Sequence, residues 1–274
     1  MDIRPYLDSF SYELTGAQRR CIEEIEGDLE SSKAMNRLVQ GDVGSGKTAV
    51  AEAAMYKAVR GGCQAVMMAP TEILAHQHFE GLRKSFAAHG IRVGFLSGSL
   101  KASEKREILE QLKDGQIDIL VGTHAVIQPE VEFARLGLVI TDEQHRFGVN
   151  QRIRLKEKGQ NPNVLVMTAT PIPRTLAVVL YGDLDVSVLD EMPPGRQVIK
   201  TRNVTGEKRE ACYDFVEKQL QQGRQAYVVT PLIEDSDTLD LKSVQTVYEE
   251  LAKRFAEYKV CLLYTSDAAD DLLC

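Results

Sequence analysis

The segment GDVGSGKT, residues 41–48, has the residue types and the spacing needed to hold a phosphate group. It fits the pattern G-x-x-x-x-G-K-[ST], in which the glycines let backbone N–H groups surround phosphate oxygens. A strand-like run precedes it and a helix-like run follows it, so the dipole of the helix adds to the attraction. We expect Lys47 to reach the β- and γ-phosphates of a nucleotide and Thr48 to ligate Mg²⁺. The predicted phosphate-binding residues are Gly41, Asp42, Val43, Gly44, Ser45, Gly46, Lys47 and Thr48.

A second group of polar residues follows the apolar run VIT, in the segment VITDEQH (139–145). An acid directly after a buried strand is placed to hold a metal ion, so Asp142 is predicted to coordinate Mg²⁺, directly or through water. Glu143 is predicted to polarise the attacking water, since general-base catalysis needs a carboxylate within hydrogen-bond reach. Gln144 and His145 are expected to sense the γ-phosphate. The predicted catalytic residues are Lys47, Asp142, Glu143, Gln144 and His145.

The segment LTGAQ (14–18) lies about one helix before the phosphate loop. Thr15 and Gln18 fit the T-x-x-Q capping box that starts a helix, which is a purely structural role. Gln18 is also placed to bind the adenine edge of a nucleotide. The two roles are compatible, and both are predicted.

Small hydroxyl residues follow several predicted strands. In open α/β sheets ligands gather at the carboxyl ends of strands, and hydroxyls there suit the backbone of a nucleic acid. Any one of them alone is expected to be a helix N-cap. The hydroxyl residues are Thr71, Ser97, Thr123 and Thr168. The basic residues that could attract phosphates nearby are Lys101, Lys105, Arg106, Arg146, Arg152, Arg154, Lys156, Lys158 and Arg174, with a solvated charged face as the alternative.

Short apolar runs alternate with helical patterns along most of the chain, which predicts an α/β fold with a parallel sheet covered on both faces. The runs are rich in Val, Ile, Leu and Met and do not alternate with polar residues. The predicted strands are 37–40, 64–70, 91–96, 117–123, 136–142 and 163–170. Helices are predicted between them, for example over 48–60 and 102–114.

A break at Pro193, Pro194 and Gly195 predicts a linker over 191–198. The first domain is therefore expected over 1–190. A second alternation follows, which predicts a partial α/β domain over 199–260. Its predicted elements are strands at 197–204, 225–232 and 259–265, and helices at 207–222 and about 239–257.

The composition indicates an ordinary globular protein: 43% of residues are hydrophobic and the formal net charge is −7. The charge argues against a large nucleic-acid footprint but not against a local one. There is no secretory signal and no apolar run long enough to cross a bilayer, so a cytoplasmic location and no membrane partner are expected. There is no C-x-x-C pair, and His76 and His78 do not share a helix face, so a solvated histidine pair is predicted rather than a metal site.

The motifs GDVGSGKT, APTEILA, DEQHRFG and TATPIPRTLA, in this order, resemble the first motor domain of superfamily 2 helicases, and most closely the RecG family of ATP-dependent DNA helicases. The resemblance runs from about Leu14 to about Val260. It implies a RecA-like P-loop NTPase domain, ATP and Mg²⁺ as cofactors, and a monomer that acts on branched duplex DNA, forks and Holliday junctions in recombination and repair. It also implies that Thr168, Ala169 and Thr170 couple the nucleotide state to DNA.

The chain departs from that family at both ends. The family begins with a wedge domain that splits branched DNA, and only about thirteen residues precede the first motif here. The second motor domain is expected to be truncated before its arginine finger, and residues 261–274 are expected to be a non-native tail. A fragment of this kind is predicted to bind ATP and Mg²⁺, to hydrolyse ATP poorly and to bind DNA weakly.

Three alternatives stay open from the sequence. The first is a translocase of the transcription-repair coupling factor type, a family that typically carries Phe where Ser45 stands. The second is a small-molecule phosphotransferase, against which the DEQH segment and the hydroxyls at strand ends argue. The third is a nucleotide-binding module without turnover.

Overall fold

The computed structural model describes residues 2–142, 155, 158–170, 184–193, 199–230 and 244–262. In this part of the chain the strands are β1 (Asn36–Gly41), β2 (Gln64–Met68), β3 (Val93–Leu96), β4 (Ile119–Gly122), β5 (Leu136–Thr141), β6 (Asn163–Thr168) and β7 (Asp185–Leu189). The α-helices are α1 (Arg4–Leu7), α2 (Gly16–Glu30), α3 (Lys47–Arg60), α4 (Glu72–Phe86), α5 (Ala102–Lys113), α6 (Arg209–Gln221) and α7 (Val244–Arg254).

The strands form one sheet in the order β3-β4-β2-β5-β6-β1-β7, and every described pairing is parallel. The predicted parallel α/β fold is therefore confirmed. Because all strands run the same way, their carboxyl ends lie along one edge of the sheet. β6 lies between β1 and β5, so the segments that follow these three strands are neighbours at that edge.

Two apolar cores, one on each face of the sheet, explain why the strands have continuous apolar sequences. Successive side chains of a strand point to opposite faces. In β2, Ala65 and Met67 belong to one core, while Val66 and Met68 belong to the other. A strand with both faces covered needs apolar residues at every position.

The six strands predicted over 37–170 are all present, but β7 was missed. Its sequence, DVSVL, contains two polar residues and lies next to the break at Pro193. Among the described strands β7 pairs with β1 alone, at an edge of the sheet. An edge strand needs fewer apolar positions than a central one, so its sequence carries a weaker signal.

The chain divides into two compact units, residues 1–196 and 197–274. The division falls within the predicted linker. In the described residues of the second unit, α6 and α7 are the α-helices, and a 3-10 helix at Gly206–Lys208 precedes α6. A small core joins them, in which Val247, Leu251 and Phe255 are buried and Tyr213 and Leu220 pack against them.

The three strands predicted for the second unit are not formed in the residues described there, which are 199–204, 225–230 and 259–262. A helix closes its hydrogen bonds within its own segment, whereas a parallel strand needs a partner from a distant segment. Over the described residues of this unit, the helical predictions are therefore correct and the strand predictions are wrong. None of the helices in the described part of the chain is long and apolar enough to span a membrane.

Candidate active site

The loop between β1 and α3 has a backbone that only glycine adopts easily. Gly44 has φ of 79° and Gly46, the N-cap of α3, has φ of 86°. These values lie in the left-handed region, which a Cβ atom disfavours. The loop therefore turns back over the start of α3, the arrangement that presents backbone N–H groups to an anion.

Backbone carbonyl groups of the loop hold the side chain of Lys47 in place. Its Nζ donates hydrogen bonds to the carbonyl oxygens of Gly41, at 2.6 Å, and Asp42, at 2.9 Å. The residue is only 9% exposed. An ammonium group donates three hydrogen bonds, and two of them fix this charge at the mouth of the loop. The structure thus places a positive charge where the predicted phosphates would lie.

Gln18 supports the loop from α2. Its Oε1 accepts from the Thr15 N–H at 2.9 Å, and the Gln18 N–H donates to Thr15 Oγ1 at 3.2 Å, so the predicted capping box is confirmed. Its Nε2 donates to the Ser45 carbonyl at 2.8 Å, which ties α2 to the phosphate loop. A Cβ on Gly46 would lie 2.1 Å from this Nε2. The adenine contact of Gln18 stays a prediction.

Asp142 follows β5 directly, at the same edge of the sheet. Its N–H donates to the Met68 carbonyl at 3.0 Å, continuing the pairing of β5 with β2 by one residue. The residue is 9% exposed. The end of the sheet therefore fixes the backbone of Asp142, one of the two predicted metal ligands.

His78 is the site residue that sequence reasoning missed. Its Nε2 lies 2.8 Å from Asp142 Oδ2, and both side chains are largely buried. On α4 it lies on the face of Ala75, Leu82 and Phe86, which are buried. The spacing of these four residues follows the helical period of a buried face, and this pattern in the sequence could have shown that His78 is buried.

The prediction that His76 and His78 form a solvated pair was wrong for His78. His76 is exposed on α4 and its ring contacts Phe79 and Phe95. The two histidines do point to different faces, as their spacing predicts. The partner of His78 comes from another strand, and a spacing argument within one helix does not reveal it.

Thr168 ends β6, and Ala169 and Thr170 follow it, between the phosphate loop and Asp142. Thr168 Oγ1 accepts from the Thr170 N–H at 3.2 Å and lies 2.8 Å from Thr170 Oγ1. Ala169 lines a cleft together with Gly41 of the loop and Glu191 after β7. These residues are thus placed beside the phosphate loop, and their role in coupling stays a prediction.

Some predicted site residues lie outside the described residues. These are Glu143, Gln144, His145 and Arg174. Among the basic residues, Arg146, Arg152, Arg154 and Lys156 also lie there.

The hydroxyl residues at the ends of β2, β3 and β4 lie at the expected edge, but they are engaged within the protein. Thr71 Oγ1 accepts from the Leu74 N–H at 3.3 Å and caps α4. Ser97 Oγ donates to Glu72 Oε1 at 2.9 Å. Thr123 is nearly buried. Contacts of these residues with DNA stay a prediction, and the Glu72 carboxylate next to Ser97 opposes a phosphate at that point.

Two of the basic residues proposed to attract phosphates are also engaged internally. Lys105 Nζ donates to Gln128 Oε1 at 2.7 Å and to Glu130 Oε1 at 2.9 Å. Lys158 Nζ donates to the carbonyls of Gln128, at 2.6 Å, and Val131, at 2.9 Å, and burial lowers the pKa of its ammonium group. Lys101 and Arg106 are exposed.

The polar groups around the loop fit a magnesium–nucleotide complex. Thr48 and Asp142 offer hard oxygen ligands, which Mg²⁺ prefers. In the described residues no three His, Cys, Asp or Glu side chains cluster to hold a metal. That fits Mg²⁺, because it usually keeps several waters and takes one or two carboxylates plus substrate phosphates. The buried hydroxyls of Ser45 and Thr141, next to the loop and to Asp142, have no hydrogen-bond partner in the described structure.

Comparison with known proteins gives a consistent family. The family model of the DEAD/DEAH box helicases matches residues 15–179. The chain is 52% identical over 269 residues to the ATP-dependent DNA helicase RecG of Streptococcus pneumoniae, covering 97% of this chain and 40% of that protein. It is 51% identical over 271 residues to RecG of Bacillus subtilis, covering 98% of this chain and 40% of that protein. The chain thus spans about two fifths of the length of these curated relatives.

Solved structures agree. A structure of RecG bound to a three-way DNA junction superposes with a TM-score of 0.80 at 45% identity, covering 92% of this chain and 33% of that one. The helicase MrfA superposes with a TM-score of 0.61 at 18% identity, covering 95% of this chain and 42% of that one. The second likeness concerns the fold alone.

The resemblance to the RecG helicases inferred from the motifs is confirmed by these matches, and the parallel sheet is that of a RecA-like helicase domain. The family model spans more than half of the 274 residues and includes the phosphate loop and Asp142. The chain belongs to the DEAD/DEAH box helicase family.

Proposed function

We propose that this chain is the ATP-binding motor part of a RecG-type DNA helicase. The observation that carries the proposal is the placement of Lys47, on its glycine loop, at the same sheet edge as Asp142. A charge fixed over an anion-binding loop beside a strand-end carboxylate suits the phosphates of a nucleotide and their metal ion. The identity to RecG relatives supports ATP as that nucleotide.

In this proposal each residue has a defined task. The backbone of residues 41–48 encloses the phosphates, and Lys47 exchanges its loop carbonyls for phosphate oxygens. Thr48 and Asp142 hold Mg²⁺, which when bound neutralises charge on the phosphates. Glu143 orients and polarises the attacking water, and Gln144 and His145 sense the γ-phosphate.

We further propose that residues 1–190 form the first RecA-like motor domain and that residues 199–260 are part of the second, joined by the linker 191–198. Thr168, Ala169 and Thr170 then transmit the nucleotide state to a DNA-binding edge that includes Thr71, Ser97, Thr123 and Arg174. The substrate would be branched DNA, in keeping with the relative solved on a three-way junction. A cytoplasmic location and a monomeric state are part of the same proposal.

The alternative of a coupling-factor type is disfavoured by the identities of 52% and 51% to RecG helicases. Two alternatives then remain. Phosphorylation of a metabolite without DNA would favour the small-molecule phosphotransferase, and ATP binding without ATP cleavage would favour the nucleotide-binding module without turnover.

The first prediction concerns Lys47. We expect Lys47→Ala to lower the affinity of the chain for a fluorescent ATP analogue with Mg²⁺ by about tenfold or more, because a charge-assisted hydrogen bond to phosphate is worth about 1.5–3 kcal/mol. Lys33→Ala removes an equal charge from an exposed site before β1 and serves as the control. Titration followed by fluorescence gives the affinities, and ATP cleavage on the same sample tests turnover. Equal affinities of the unsubstituted chain and Lys47→Ala would contradict the proposal that Lys47 binds the phosphates.

A further inference from the structure

We propose that His78 is a positioning residue for Asp142, setting the carboxylate that binds Mg²⁺ in the proposed nucleotide site. The inference rests on the proposed function and deepens it. It assigns a role in nucleotide binding to α4, the helix that Thr71 caps. The contact that carries it is the 2.8 Å hydrogen bond between His78 Nε2 and Asp142 Oδ2.

The position of His78 follows from the order of elements at the sheet edge. β2 and β5 are paired, with Met68 opposite Thr141. α4 therefore begins, after its cap Thr71, beside the strand that Asp142 follows. Two helical turns later the buried face of α4 brings His78 to that carboxylate.

The chemistry of the pair fixes which side chain donates this hydrogen bond. An ionised carboxylate accepts hydrogen bonds and does not donate them, so Nε2–H of His78 is the donor. With one carboxylate oxygen restrained, the torsion of the Asp142 side chain is restrained as well, and so is the position of its second oxygen. Partners of this kind commonly orient metal-binding carboxylates, and their loss costs about 10–100-fold in metal affinity.

His78 is placed to position the carboxylate rather than to bind the metal itself. In the described residues no third His, Cys, Asp or Glu joins His78 and Asp142 in a metal-binding group. The nitrogen facing the carboxylate is occupied by the hydrogen bond. A hard cation such as Mg²⁺ also takes oxygen ligands in preference to imidazole.

A second contact fixes α4 against the helix that carries the phosphate loop. Ser85, two turns after His78, donates to Glu52 Oε2 at 2.9 Å. Glu52 lies on α3, which begins at Lys47. α4, whose His78 contacts Asp142, is therefore tied to α3, which follows the phosphate loop. The two parts of the site are thus held in a fixed relative position.

The experiment measures the affinity of the 274-residue chain for a fluorescent ATP analogue, with Mg²⁺ and with EDTA. For His78→Ala we expect the gain in affinity that Mg²⁺ gives to fall by about tenfold or more. In EDTA its affinity should stay within about twofold of the unsubstituted chain, since His78 acts through the metal ligand. His78→Gln, whose amide reaches as far as Nε2, should keep the gain to within about threefold, and the shorter His78→Asn should lose it.

The controls separate this role from a structural one. His76→Ala removes an exposed imidazole from the same helix and should leave the Mg²⁺-dependent gain unchanged. Combined with Asp142→Asn, His78→Asn should cause no further loss, because residues that act as a unit are not additive. Thermal unfolding of each variant confirms that it is folded, and the Asn and Gln variants carry the test if the Ala variant is not.

Two results would overturn the inference while leaving the proposed function intact. One is a full Mg²⁺-dependent gain in both His78→Ala and His78→Asn. The other is an equal loss with Mg²⁺ and with EDTA, which would mark a structural defect. An unsubstituted chain that binds no nucleotide would overturn the proposed function, and this inference with it.

Discussion

At the scale of single residues, the phosphate loop depends on the absence of a side chain at Gly46. Two independent facts require glycine there. The backbone has φ of 86°, and the amide of Gln18 occupies the space that a Cβ would fill. The second fact links the loop to α2, so Gln18 and Gly46 act as one unit whatever contact Gln18 makes with a base.

The second prediction tests this unit with a single methyl group. Gly46→Ala should lower the free energy of unfolding by about 1–3 kcal/mol, because it forces an L-residue into the left-handed region. It should also weaken nucleotide binding, since the Gln18 amide has to leave the Ser45 carbonyl. Urea denaturation and the fluorescence titration measure the two effects.

Gly27→Ala is the matched control for this prediction. Gly27 lies inside α2, with nothing within 4 Å of its added Cβ. There the same methyl group should stabilise the protein by about 0.5–1 kcal/mol, because alanine suits a helix better than glycine. If both variants changed stability alike, Gly46 would not be under the strain described.

At the scale of elements, α1 is anchored by a buried polar cluster rather than by its own length. Tyr6 donates to Glu52 Oε2 at 2.9 Å, and its hydroxyl lies 2.9 Å from Ser85 Oγ. The Tyr6 ring stacks on Tyr56 and Phe86. A helix of four residues is not stable alone, so α1 exists because this cluster joins it to α3 and α4.

The third prediction uses the buried carboxyl of that cluster. Burial raises the pKa of Glu52, opposed by its hydrogen bonds with Ser85 and Tyr6 and by nearby His78. The folded state therefore holds the proton more tightly than the unfolded state, and stability falls as pH rises above the ordinary glutamate value of 4.5. Glu52→Gln keeps an acceptor for Tyr6 and removes this effect.

We therefore expect the free energy of unfolding of Glu52→Gln, relative to the unsubstituted chain, to increase as pH rises through and beyond 4.5. Urea denaturation at a series of pH values on both sides of that point measures the trend. Glu23→Gln, which removes an exposed carboxylate from α2, controls for the change in net charge. A difference that shrinks with rising pH would contradict the sign of the shift.

The elements also show what the sequence alone can predict. The central strands and the phosphate loop were predictable because their signals are local: apolar runs, glycines and a fixed spacing. The hydrogen bond between His78 and Asp142 could not be predicted from the sequence, because it joins α4 to the end of β5. The strands predicted in the second unit failed for the related reason that a parallel strand depends on a distant partner.

At the scale of the whole molecule, the parallel strands give the sheet of the first unit two different edges. One is formed by the carboxyl ends of the strands and the other by their amino ends. The phosphate loop, Asp142 and residues 168–170 lie at the carboxyl edge. Lys33 precedes β1 and therefore lies toward the amino edge, while Lys101 follows β3 and lies toward the carboxyl edge. Ligands in such sheets gather at the carboxyl edge, so equal charges at the two edges should not be equivalent.

The last prediction follows from this polarity. With a net charge of −7, and with Lys105 and Lys158 engaged internally, affinity for DNA should depend on few cations and fall steeply as salt rises. Lys101→Glu should weaken binding to a three-way DNA junction at low salt and reduce the salt slope by about 1 or more, as loss of a phosphate contact does. Lys33→Glu makes the same change in net charge and should have a much smaller effect. Fluorescence anisotropy over a range of salt concentrations measures both slopes. Equal losses in the two variants would mean that the net charge governs binding and that the carboxyl edge does not carry the DNA.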